Sequence, residues 1–279
     1  MMTRPCCIVV LLALVLPLQA QQLPPLGGIA VSPGNTTLNL SADEDSGAIR
    51  VFNLSDEPLA IRTEVHNFTT DESNEVVVIP PTPQSLDQWL IINPVNFTIP
   101  PDGQQVVRFA IRPRAEPEAG EHRAMVFFNR DAPPDPEATV TVNVRVGAAI
   151  YALVDPVERI GRLDGLELLE IAPDGVTFGL TLASAGNALV RVAGRYAIWP
   201  ADREPGERAA ELLYGDPDSE PANAVASGRL SARPVFPGLV RILKTRAEAR
   251  FESGRTYRLH VVGDLAGRPF DLVRDFVVE

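Results

Sequence analysis

Residues 138–150 read ATVTVNVRVGAAI, and this stretch constrains the fold of the chain more than any other. Valine occupies alternate positions, with polar side chains between the valines. Because successive side chains of a strand point to opposite faces, this pattern predicts a β-strand with one apolar face. Such a strand either lines the core of its own domain or offers its apolar face to another chain at a sheet edge. The alternating apolar residues are Val140, Val142, Val144 and Val146.

Short apolar or alternating segments, separated by turns rich in Pro, Gly, Asn and Asp, continue along most of the chain, and no segment has a convincing amphipathic helical pattern. This spacing predicts antiparallel β-sandwiches. The length of 279 residues allows about two domains. We therefore predict an all-β chain with a first sandwich at residues 27–154 and a second at residues 155–279. Within the first, segments 48–54 and 59–65 are predicted to form a hairpin.

Seven strands are predicted in the second half, where the apolar segments repeat the same style. Their predicted ranges are 166–171, 175–182, 189–199, 226–230, 239–243, 255–262 and 270–278.

The first 20 residues have the pattern of a secretory signal peptide. Arg4 precedes an apolar run at residues 6–18, and Ala20 provides a small residue for cleavage. The run is too short to span a bilayer comfortably, so we expect an exported protein that is not integrated in the membrane once the signal is removed. Both cysteines, Cys6 and Cys7, lie in this segment. The mature chain would then form no disulfide.

The composition excludes some classes of function. A formal net charge of −11 argues against nucleic acid as a partner. No nucleophile motif, phosphate-binding loop or metal-binding His pair is present, so we expect no enzymatic activity, no cofactor and no metal. Trp89 and Trp199 leave open a carbohydrate-binding groove, although tryptophan in a β-sandwich more often belongs to the core.

Four linked segments of the first half are IAVSPGNTTLNL (29–40), AIRVFNLSDEPLAIRTEV (48–65), INPVNFTIPPDGQQVVRFAI (92–111) and EHRAMVFFN (121–129). In their order and spacing they resemble the PapD-like periplasmic chaperones of pilus assembly. The resemblance implies two immunoglobulin-like domains set at an angle around a cleft, and a periplasmic location. It also implies that an alternating strand completes a pilin-like subunit by β-strand addition, and that an outer-membrane usher is a second partner.

This chain departs from the family pattern at the cleft. The resemblance implies that two basic residues anchor the carboxylate at the end of the subunit, but the corresponding positions fall near Thr37 and Ala149, neither of which is basic. The departure leaves open a non-chaperone role as a structural or adhesive module of the envelope. Four nearby arginines are candidate substitutes for the anchor: Arg50, Arg62, Arg123 and Arg145.

Overall fold

The computed structural model describes residues 28–130, 144–206, 208–214 and 221–279. It contains 18 strands and one short α-helix, α1 (Arg208–Tyr214). The strands of the first half are β1 (Ile29–Ser32), β2 (Asn35–Asn39), β3 (Ser46–Asn53), β4 (Leu59–His66), β5 (Phe68–Thr70), β6 (Val76–Val78), β7 (Leu90–Asn93), β8 (Asn96–Ile99), β9 (Gln104–Ile111), β10 (Gly120–Arg130) and β11 (Val144–Val154). Those of the second half are β12 (Gly161–Ala172), β13 (Gly175–Ser184), β14 (Val192–Pro200), β15 (Ala226–Arg229), β16 (Val240–Glu248), β17 (Thr256–Leu265) and β18 (Arg268–Val277).

The first sandwich packs a four-stranded sheet, in the order β1-β3-β9-β7, against a five-stranded sheet in the order β2-β11-β10-β4-β8. Alternation along the strands supplies the core, because every second residue points inward. In β3, for example, Ile49 and Val51 are buried whereas Arg50 between them is exposed. A side chain such as Phe128, fully buried in this core, contributes roughly 2–3 kcal/mol to stability by leaving water.

The predicted hairpin between residues 48–54 and 59–65 is wrong. β3 and β4 belong to opposite sheets, so the turn between them carries the chain across the sandwich. The side chain of Asn53 is completely buried and holds this crossing. Its amide group donates to the carbonyl oxygens of Glu57, Ile99 and Pro100 at 2.7–3.1 Å, and its Oδ1 accepts the N–H of Ser55 at 2.9 Å.

We expect Asn53→Ala to destabilise the folded chain by about 3 kcal/mol, because it leaves several carbonyl groups without their donor in a buried place. Urea unfolding followed by circular dichroism measures the loss. Asn96→Ala is the matched control, since Asn96 is exposed on β8 and should cost less than about 0.5 kcal/mol. Equal effects of the two substitutions would contradict the role given to Asn53.

The second half forms another sandwich, with sheets in the orders β12-β13-β16 and β15-β14-β17-β18. Each of the seven strands predicted from the sequence is present, with ends displaced by a few residues. Its core includes Phe178, Tyr257 and Phe276. The all-β prediction of two sandwiches in series is therefore confirmed, while the exact division at residues 154 and 155 stays a prediction.

The two sandwiches are joined by direct contacts. Phe68, Met125 and Tyr151 of the first sandwich form one apolar cluster with Phe236 of the second. The rings of Phe68 and Phe236 meet edge to face, with 5.5 Å between their centroids. This cluster closes one side of the space between the domains, and the candidate site lies beside it.

Candidate functional site

β11 has two neighbouring strands along only half of its length. On one side it pairs with β10 from residue 144 to residue 154. On the other side β2 runs parallel to it, but it pairs only with residues 149–153. Within the described ranges of the chain, no strand pairs with residues 144–148 on that second side. This segment, which we call the open edge, is therefore the place where the five-stranded sheet can be extended.

Two of the four alternating valines lie on the open edge. Val144 and Val146 are half-buried and pack against the rim of the first core, whereas Ala148, next in the same row, is fully buried. Their exposure thus increases away from the centre of the sandwich. Val140 and Val142 lie outside the described residues.

The backbone direction on the open edge follows from one hydrogen bond. The Ala149 N–H donates to the Gly34 carbonyl oxygen at 3.0 Å and so points away from β10. Because successive backbone groups of a strand alternate in direction, the N–H and C=O groups of Arg145 and Gly147 also face the open side. A strand placed there would pair with these two residues.

A cleft of about 400 Å³ lies between the two sandwiches at the end of the open edge. It is continuous with β11, because Tyr151 and Leu153 form part of its wall. The start of β2, at Asn35 and Thr37, forms another part. The remaining lining residues are Glu121, Arg159, Leu189, Val190, Arg191, Asp264 and Ala266.

Two exposed arginines bring positive charge to the cleft. Arg159 lies in the connection between β11 and β12, and Arg191 immediately precedes β14. Tyr151 lies beside them; burial raises the pKa of its hydroxyl, an effect that the charge of Arg191 opposes. Guanidinium groups bind carboxylates through paired, charge-assisted hydrogen bonds. Arg159 and Arg191 therefore offer donors for a carboxylate, in a lining that also contains the carboxylates of Glu121 and Asp264.

Glu121 is the buried acid of the cleft, with only 1% of its side chain exposed. Its Oε2 accepts the Leu189 N–H across the domain boundary at 3.0 Å, and its Oε1 has no hydrogen-bond partner among the described residues. Burial raises the pKa of Glu121, and the Leu189 N–H and the charges of Arg123, Arg159 and Arg191 oppose that rise. Ionised Glu121 is thus less favourable in the folded protein than in the unfolded chain.

This direction gives a prediction for pH. Glu121 stabilises the fold most below its ordinary pKa of 4.5, and that contribution is lost as the pH rises through the raised folded value. Gln has no such dependence, so the unfolding free energy of the wild-type chain should fall relative to that of Glu121→Gln as the pH rises from 4.5 to about 8. Urea unfolding of both chains across this range measures the difference. A difference that is constant, or that grows in favour of the wild type, would contradict the assignment.

The four arginines that the sequence singled out lie in different places, and none of them lines the cleft. Arg50 is exposed on β3, in the opposite sheet. Arg62, on β4, forms an ion pair with Glu64.

Arg123 lies within the contact between the sandwiches, where it donates to the Phe68 carbonyl oxygen at 2.9 Å and stacks 4.2 Å from the Phe236 ring centroid. Arg145 is on the open edge itself and stacks on the Phe127 ring. The role of these four residues as anchors stays a prediction. Sequence reasoning did not single out Arg159 and Arg191, because their proximity to β11 depends on how the second sandwich is placed.

Both tryptophans belong to the interior. Trp89 is 1% exposed and donates its indole N–H to the Pro83 carbonyl oxygen at 3.0 Å. Trp199 is fully buried and donates to the Ala222 carbonyl oxygen at 3.0 Å. Neither ring lines a groove for a carbohydrate.

Residues 30–158 match the model of a family described as pili and flagellar-assembly chaperone, PapD N-terminal domain. The first sandwich therefore matches the N-terminal domain of the PapD-like chaperone family. The match includes every strand of the first sandwich apart from the first residue of β1, and it confirms the resemblance found in the sequence. No curated protein matches this chain in sequence.

Solved structures similar to this chain include three structures of chaperones. The class 5 fimbriae chaperone CfaA is 15% identical with a TM-score of 0.42, over 90% of this chain and 100% of that one. The Pseudomonas aeruginosa CupB2 chaperone is 12% identical with a TM-score of 0.39, over 89% and 100%. A structure of the Salmonella enterica SafA pilin in complex with the SafB chaperone is 10% identical with a TM-score of 0.40, over 90% and 96%. All three TM-scores are below 0.5, so the family assignment rests on residues 30–158.

The part of the chain that the structure describes contains no helix with the length and apolar character needed to cross a membrane.

Proposed function

We propose that this chain is a periplasmic chaperone that binds incomplete pilin-type subunits by adding β11 to their sheet. The observation that carries the proposal is the open edge, where residues 144–148 pair on one side only with the strands that the structure describes. An extended partner gains backbone hydrogen bonds along such an edge, and alternating apolar side chains add contacts on one face. Val144 and Val146 supply those side chains here, and Val140 and Val142 continue the same pattern in sequence.

The cleft is the proposed binding site for the C-terminal end of the subunit. Any strand added to the open edge lies end to end with β2, because β2 occupies the same side of β11 from residue 149 onward. Asn35, the first residue of β2, lines the cleft with Arg159 and Arg191. We propose that the subunit strand runs parallel to β11, as β2 does, and that its terminal carboxylate binds these two arginines.

The partners follow from this proposal. The subunit is an immunoglobulin-like domain that lacks its final strand, and the chaperone covers the exposed core of that domain until assembly. An outer-membrane usher is the proposed receiver of the complex. Strand addition needs no bond to form or break in the chain itself, which agrees with a family of chaperones rather than enzymes.

The test compares two forms of one pilin-type subunit from the same genome. One form lacks its final strand, and the other is completed by a neighbouring subunit's extension fused to its end. We expect the mature chain to form a one-to-one complex with the incomplete form only, as seen by size-exclusion chromatography with light scattering. Binding of both forms, or of neither, would contradict strand addition and would favour a structural or adhesive role in the envelope.

A further inference from the structure

The open edge carries a second arrangement on the face opposite the valines. Arg145 extends from β11 across the sheet, and its guanidinium carbon lies 3.3 Å from the centroid of the Phe127 ring on β10. Its Nη2 is 3.8 Å from Oε2 of Glu64 on β4. One side chain thus contacts two further strands of the same sheet.

Gly147 provides the space for this arrangement. It lies directly opposite Phe127 in the β10–β11 register. A Cβ atom at this position would be 2.9 Å from Sδ of Met125 and 3.3 Å from the edge of the Phe127 ring. Because Gly147 has no side chain, Phe127 can lie over β11 and present its face to Arg145.

We propose that Arg145 is a positioning residue that holds the open edge against β10 while leaving its outer side free; the proposal rests on the strand-addition function given above. A segment paired on one side only is prone to local opening. A guanidinium over an aromatic face is attracted by the negative face of the ring, even at an exposed site. This contact joins the open edge to β10 at the point where the pairing with β2 is absent.

The direction of the Arg145 side chain also matters. It points inward over the sheet, away from the side on which a subunit strand would pair, so it does not cover that side. The Arg145 side chain is also 40% exposed. An exposed charged side chain on an edge strand discourages unwanted pairing with other strands. The Arg145 contacts therefore keep the open edge extended along β10 and leave its outer side free to pair with a subunit strand.

Glu64 is a suitable partner because it remains ionised. Burial raises the pKa of Glu64. Its interactions with His66, Arg62, Asn129 and Arg145 lower the pKa by more than burial raises it, so the net shift is downward. Among the described residues, His66, Arg62, Asn129 and Arg145 are the charged, titratable and amide side chains that act on the Glu64 carboxylate.

The test uses the chain without any subunit. Hydrogen exchange is measured at the Val144 and Val146 amides, which face β10, in the wild type and in Arg145→Gln. We expect exchange at these two amides to be roughly two- to fivefold faster in the variant, because the cation–π contact is lost. Amides in the centre of the β10–β4 pairing should be unchanged. Phe127→Leu should give the same local increase without a change of charge, and Arg145→Lys should retain part of the protection.

Arg50→Gln is the control, because it removes an exposed arginine from the opposite sheet. The proposal is overturned if exchange at Val144 and Val146 is unchanged in both Arg145→Gln and Phe127→Leu, or if all amides of the first sandwich accelerate equally. Amide hydrogen exchange and subunit binding are measured in separate experiments. A faster local exchange in a chain whose wild type captures no subunit would support the positioning role and contradict strand addition.

Discussion

A chain in which Val144 and Val146 are both replaced by aspartate is expected to bind an incomplete pilin-type subunit more than about a thousandfold more weakly than the wild type. Strand addition would place both side chains in the apolar groove of the subunit. An unpaired carboxylate there costs several kcal/mol, and each 1.4 kcal/mol is a factor of ten in affinity. Surface plasmon resonance with immobilised subunit measures the change.

The chain itself should stay folded, because both valines are half-buried at the rim of the core and not at its centre. The matched control replaces Val273 and Val277 by aspartate. These two valines are also on a strand at the edge of a sheet, β18, and are 47% and 48% exposed. Retained affinity in the Val144 and Val146 variant, with the melting temperature of the wild type, would mean that subunits bind elsewhere.

Removal of the positive charge from the cleft is expected to have the second largest effect. In Arg159→Gln with Arg191→Gln, the terminal carboxylate of the subunit loses its partners. Hydrogen bonds to charged groups contribute about 1.5–3 kcal/mol each, so we expect the loss of two arginines to lower the affinity by at least about a hundredfold. The measurement is titration calorimetry with a peptide corresponding to the C-terminal strand that the incomplete subunit retains.

The same peptide with an amidated C-terminus separates the carboxylate from all other contacts. It should bind the wild type as weakly as the acid form binds the double variant, and the double variant should bind both forms alike. Arg108→Gln with Arg250→Gln, which removes one exposed arginine from each half of the chain, is the control for net charge. If amidation weakens binding to the double variant and to the wild type by the same factor, the carboxylate binds another group.

The strands could be predicted because alternation reports local geometry. Segments such as 175–182 and 255–262 coincide with β13 and β17 to within a few residues, since a period of two directly reflects which side chains face the core. The pairing of those strands is not a local property. β3 and β4 have matching alternation and a short turn between them, yet they are in opposite sheets. The buried side chain of Asn53 stabilises this crossing, and its five hydrogen bonds form only in the folded chain.

The site was predicted in part for the same reason. The valine pattern gave the position of the open edge, because it marks one apolar face of β11. The charged residues of the cleft were not found in advance. Arg159 and Arg191 come together with Tyr151 only because the second sandwich turns back toward β11, and no spacing in the sequence encodes that distance. Arg145 was predicted as a candidate anchor for the subunit carboxylate. In the structure it lies on the open edge and contacts Phe127 and Glu64.

The most direct test of strand addition is amide exchange at Arg145 and Gly147 in the complex with an incomplete subunit. Their N–H groups face the open side of β11, whereas those of Val144 and Val146 face β10. On binding, we expect exchange at Arg145 and Gly147 to slow by at least about a hundredfold, as for amides that join a sheet ladder, with much smaller changes at Val144 and Val146. A subunit that binds tightly and leaves the exchange of Arg145 and Gly147 unchanged would contradict the account.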